Sequence, residues 1–299
     1  MAHVKLENDS PVIMSEEVEP RSQSFFYMAW KKLRRNKSAM FGGFILLFFI
    51  VISVFAPYIA THPVNEMRFE DSLQAPSSEH WLGTDEFGRD IFTRILYGGR
   101  VSLLMGLVAV SIAGSVGILI GVIAGYYRKV DVYIMQFMDI LMSFPSLLMA
   151  IVIVAILGVG LTNAMLAVAI AIIPSFVRVV RGSVLAVREK EYIASAVALG
   201  VRDCKIIVKH ILPNIASPVV VLATLEFGVS ILAAASLSFL GLGAQPPNPE
   251  WGALVYVGKA FLTQAWWMTL FPGMAIMLVV LGFNLLGDGL RDALDSRLK

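Results

Sequence analysis

From Arg178 to Pro213 the chain reads RVVRGSVLAVREKEYIASAVALGVRDCKIIVKHILP, between two long apolar runs. The stretch is too charged to cross a bilayer core, which takes about 20 mostly apolar residues as a helix. It is also too apolar for a plain linker. Within it, Tyr192, Ile193, Ala194, Ser195, Ala196, Val197, Ala198 and Leu199 predict a short helix of mostly small residues. Gly200 offers a left-handed stop, Arg202 to Ile211 resumes a helical pattern, and Pro213, after Leu212, is expected to end it. Two short helices joined by a glycine hinge result. The small side chains leave a low-relief surface that a groove on another protein can approach closely. An amphipathic helix resting on lipid headgroups accounts for the same pattern, and the residues by themselves leave the two open.

The flanking runs belong to a membrane protein. Hydrophobic residues make up 57% of the 299 and charged residues 15%, with 24 Lys+Arg against 22 Asp+Glu. Soluble domains hold roughly 45–50% apolar residues even with glycine counted. One cysteine excludes a disulfide scaffold, and a net charge of +2 is too small for counterion release from a nucleic acid. Six runs are long and apolar enough to be spans, at about 39–60, 101–127, 133–156, 164–177, 218–240 and 267–286. The expected fold is all-α, with a tail over 1–38, a first span over 39–60, an outer segment over 61–100 and a five-span core over 101–299. That core carries the charged segment 178–213.

Charge orients the bundle. Lys31, Lys32, Arg34, Arg35 and Lys37 directly precede the first span, which places the N-terminus in the cytoplasm, and six crossings return the C-terminus there. Of the 24 basic residues only Arg68, Arg89, Arg94, Arg100 and Lys259 then fall outside. The first run is too long, and too far behind an acidic tail, for a cleaved signal peptide. That tail has the composition of a loose segment as far as Ser24.

Tyr192 to Gly200, continued to Leu212-Pro213, resembles the "EAA" loop of ABC importer permeases. Gly200, Ala196 and Leu212-Pro213 are in register, whereas Ala194 replaces the family's glutamate, Ser195 its first alanine and His210 its isoleucine. Trp81-Leu-Gly-Thr-Asp85-Glu-Phe-Gly88-Arg89-Asp90, Ser238 to Gly252 and Phe283 to Asp295 resemble signatures of the peptide/nickel branch, "C-type" subunit. The resemblance covers residues 28 to 299. It implies a type I permease fold of six transmembrane helices in the cell membrane, with Tyr192–Gly200 and Leu212-Pro213 as the coupling helix and its flank. It further implies a homologous second permease, two cytoplasmic ATP-binding subunits and an extracytoplasmic solute-binding protein. The cargo would be a dipeptide, an oligopeptide, glutathione or a nickel chelate.

The chain itself has no phosphate loop, since Gly258-Lys259 lacks both the upstream glycine and the hydroxyl residue. ATP and magnesium are therefore expected on the partner subunits, with no cofactor bound here. Gly117, Gly121 and Gly125 recur every four residues and point to close helix packing more than to pore lining. Glu226, inside the fifth span, is a candidate for the translocation pathway or for an interhelical pair. Asp85, Gly88, Arg89 and Asp90 suggest a salt-bridged outer cap rather than a hydrolytic site, because no nucleophile accompanies them. His3, His62, His80 and His210 show no ligand spacing, so no metal site is expected. A stand-alone proton-coupled carrier using Asp139 and Glu226 is the main rival, and an intramembrane hydrolase a weaker one.

Overall fold

The structure, a computed structural model, describes residues 25–294. The acidic tail and the bases Lys5, Arg21, Arg297 and Lys299 lie outside the described residues. Twelve α-helices follow in order: α1 Phe25–Arg35, α2 Lys37–Val54, α3 Ala56–Ile59, α4 Ile91–Tyr126, α5 Arg128–Met142, α6 Ser146–Leu157, α7 Leu161–Arg188, α8 Glu191–Ala198, α9 Asp203–Ile206, α10 Leu212–Phe239, α11 Trp251–Gly258 and α12 Trp267–Leu294. Five are long and apolar enough to cross a membrane: α2, α4, α7, α12 and the continuous run 203–239. The pair α5 and α6, bent by 89° at their junction, makes a sixth, broken span.

Several helix ends depart from the sequence expectation, each for a local reason. The first span stops at Val54 and turns at Phe55 into α3, short of residue 60. The second starts ten residues before Val101, because the Asp90 carboxylate accepts the Thr93 N–H and caps the first turn. Residues 91–100 thus belong to a helix and not to the outer segment. The third breaks at Ser143–Pro145, where proline cannot continue the ladder. The fourth does not stop at Val177: Arg178 and Arg181 pair with Asp139 and Asp131 of α5, so the helix runs on to Arg188.

Pro213 does not end a helix. It lies in the first turn of α10, after a π-turn over Ile207–Ile211 in which the Leu212 N–H donates to the Ile207 carbonyl five residues back. That register shift at the junction accommodates the N–H that proline lacks. Within the expected tail, α1 is an ordered helix whose Leu33 packs with Ala39 and Ala293, leaving Lys31, Lys32, Arg34 and Arg35 exposed.

The core is a bundle of α4, α7, α10 and α12. Along α4, Gly117, Gly121 and Gly125 face Phe176, Val180 and Val184 of α7, so two four-residue repeats interlock. A methyl at Gly121 would lie 2.7 Å from the Val180 Cβ. Gly121→Leu is therefore expected to destabilise the bundle by about 1–3 kcal/mol through overpacking. A lowered thermal midpoint of the detergent-purified chain would show it, and an unchanged midpoint would contradict the packing.

Candidate functional site

α4 is 36 residues long, or about 54 Å at 1.5 Å per residue, and it separates two ends of different chemistry. At its C-terminal end α8 packs against the bundle, with Lys190 as N-cap residue and the chain leaving through Leu199. Gly200 takes φ +71°. The Gly200 N–H donates to the Val197 carbonyl at 3.0 Å and the Val201 N–H to the Ala196 carbonyl at 3.1 Å. These two bonds form a Schellman cap, which needs a left-handed residue at this place and favours glycine there.

One residue fastens α8 to the bundle. Ile193, 1% exposed, enters a cluster of Val122, Val180, Val184, Ile206, Ile211 and Ile215, with Ala196 and Leu212 at its margin. The opposite face is open: Leu199 is 83% exposed, and Tyr192, Ala194, Ser195 and Pro213 are also exposed. The Ser195 hydroxyl donates to the Glu191 carbonyl, so it does not roughen that face. α8 is thus held from one side and leaves its other side free. Tyr126, at the end of α4, donates to Asp203 at 2.8 Å and lies under the Arg188 guanidinium. No motif or spacing joins these three residues.

At the other end, residues 61–90 fold as a strap over the bundle. The Asp85 carboxylate receives Arg89 Nε at 2.6 Å and the backbone N–H groups of Phe87 and Arg89, with Arg94 Nε at 3.7 Å. Asp85 is 2% and Arg89 4% exposed. Gly88 has φ +74°, and a side chain there would overlap the Arg68 carbonyl. Asp90 closes the strap twice, by capping α4 and by accepting His80 Nδ1 at 3.0 Å. Burial, then the neighbouring Asp85 carboxylate, pushes Glu86 above the usual carboxylate range. Trp267 Nε1 donates to the Thr84 carbonyl and ties the strap to α12.

Glu250 went unassigned from sequence. It caps α11 by accepting the N–H groups of Gly252 and Ala253, each at 2.9 Å, and it accepts the Ser102 hydroxyl at 3.1 Å. Its burial pushes the carboxyl up, against those donors. Its place immediately ahead of Trp251-Gly252, after three prolines, was the available signal. One further outcome differs from the sequence expectation and another bears on the rival carrier. His62 and His80 come together with ring centroids 4.6 Å apart. Asp139 is ion-paired with Arg178, which removes one of the two free carboxyls that a proton relay requires. Glu226 lies partly buried on α10, near Ser175 of α7, with no cationic partner among the described residues.

A helical bundle with five or six apolar spans and a short capped helix packed on one end is the architecture of a multi-pass membrane protein. Residues 117–299 match the family described as binding-protein-dependent transport system inner membrane component, and the chain belongs to that family. Residues 24–76 match the N-terminal TM domain of oligopeptide transport permease C. The chain is 49% identical over 303 residues to the dipeptide transport system permease protein DppC of Alkalihalophilus pseudofirmus, covering 99% of this chain and all of that one. It is 45% identical to the glutathione transport system permease protein GsiD of Pectobacterium atrosepticum, over 97% of this chain and 95% of that one. Among solved structures, the inward-facing MetNI methionine ABC transporter superposes with a TM-score of 0.57 at 19% identity, over 67% of this chain and 96% of that one. The likeness supports the type I permease fold.

Proposed function

We propose that this chain is one permease of an ATP-driven importer, paired with a homologous second permease, gripped by two cytoplasmic ATP-binding subunits and supplied by an extracytoplasmic solute-binding protein. The observation that carries it is α8, anchored through Ile193 and apolar on its free face. ATP and magnesium act on the partner subunits. Their closure moves α8, and the bundle rocks between outward and inward openings, each favoured by the ligand that binds it better. Both termini and α8 lie in the cytoplasm, with the strap outside.

The cargo is a peptide, a dipeptide or short oligopeptide, in keeping with the dipeptide permease to which the chain is similar. Glutathione and a nickel chelate are the alternatives. Glu226 meets the cargo's ammonium group within the pathway, since it has no other cationic partner among the described residues. Charged hydrogen bonds contribute about 1.5–3 kcal/mol. Glu226→Gln should then raise the half-saturating peptide concentration by about tenfold or more, and leave the response to N-acetylated peptide unchanged.

The complex, reconstituted in liposomes with its binding protein, tests the assignment through solute-stimulated ATP hydrolysis. Stimulation by peptides and by neither glutathione nor nickel chelates is expected. A response confined to glutathione or nickel would overturn the cargo, and uptake without the ATP-binding subunits would overturn the importer.

A further inference from the structure

The strap contains a feature that transport does not require. His80 is 1% exposed, and its Nδ1 lies 3.0 Å from the Asp90 carboxylate. A carboxylate only accepts, so Nδ1 carries a proton, and in the neutral imidazole Nε2 presents a lone pair. That Nε2 is buried and has no hydrogen-bond partner among the described residues. Its neighbour Asp71 Oδ2, at 3.9 Å, is another acceptor. In that tautomer two acceptors face each other without a donor, an arrangement that a cation, either a second proton or a metal ion, satisfies.

Other ligands are in place. One donor atom each from His62, Glu79 and His80 lies within 4.8 Å of the others. The carboxylate behind His80 fixes its tautomer and ring orientation, the usual support of a metal-bound imidazole. Two imidazoles with a carboxylate suit zinc or a similar transition cation. An all-oxygen set would suit calcium or magnesium.

We propose that His62, Glu79 and His80, with Asp71 beside them, form a binding site for a zinc-class divalent cation. The ion would clamp residue 62, just after α3, to the turn that leads into α4, across 18 residues of strap. It stabilises the strap and takes no part in selecting cargo, so the site stands independently of the transport assignment.

The test uses the full-length chain, purified without a histidine tag and stripped with chelator, and titrated calorimetrically with zinc chloride. One zinc per chain is expected, with a rise in thermal midpoint and, on substitution by cobalt, the visible d–d bands of a four-coordinate site. H62A and E79Q should each weaken zinc binding at least tenfold and abolish the zinc-dependent rise. E79Q should leave the metal-free midpoint unchanged, because Glu79 is exposed. H210A, at the other end, should bind zinc like the unaltered chain. Absence of saturable zinc binding, or either strap variant binding as tightly as the unaltered chain, would overturn the site.

Discussion

Valine at Gly200 is expected to abolish solute-stimulated ATP hydrolysis and uptake by the assembled transporter while the chain still folds and inserts. No atom lies within 4 Å of a Cβ built at Gly200, so the substitution meets no steric clash and acts through the backbone alone. A β-branched residue at φ +71° costs about 1–2 kcal/mol. It is relieved only by unwinding the cap that holds the Val197 and Ala196 carbonyls. The Ile193 anchor and the bundle below it are untouched. Asparagine tolerates the left-handed region better than other residues with a side chain, so Gly200→Asn should retain most transport. Wild-type uptake by the valine variant would mean that the turn after α8 is not needed for coupling.

Removal of Arg89 should be the most damaging single change to the strap over 61–90. Asp85 is buried and would lose its shortest charged partner. Breaking a buried pair from one side costs about 3–5 kcal/mol. The lower part of that range applies, because the Phe87 and Arg89 backbone N–H groups remain on Asp85 and Arg94 stays near. Arg89→Met should lower the thermal midpoint strongly, and the double variant Asp85→Asn, Arg89→Met should recover only part of the loss, because Asp85 is then uncharged while the buried Arg94 loses its carboxylate partner. Trp267, bonded to the Thr84 carbonyl, gives a local fluorescence reading of the strap. A single variant as stable as the unaltered chain would show that the pair contributes nothing.

The spans were legible because lipid imposes long apolar runs, and the four-residue glycine repeat on α4 was legible because helices repeat every 3.6 residues. Its partners Phe176, Val180 and Val184 share that spacing and sit on the helix the glycines contact. Helix ends were less legible where long-range pairing decides them. Arg178 and Arg181 read as the start of a polar segment, yet Asp139 and Asp131, 39 and 50 residues earlier, hold them within α7. Arg94 and Arg100 hid the start of α4 in the same way, although Asp90 with Thr93 was an available capping signal. Pro213 was misread because a π-turn has no sequence pattern of its own. His62 and His80 are 18 residues apart on irregular backbone, where no helical or strand period brings side chains together.

The most direct measurement places a photo-crosslinking amino acid at Leu199, the most exposed apolar residue of the α8 turn, in the complex isolated with its partners. On illumination the account predicts an adduct between this chain and an ATP-binding subunit, with a yield that changes when ATP is bound. Adducts with lipid only, or with the solute-binding protein on the outer side, would contradict it.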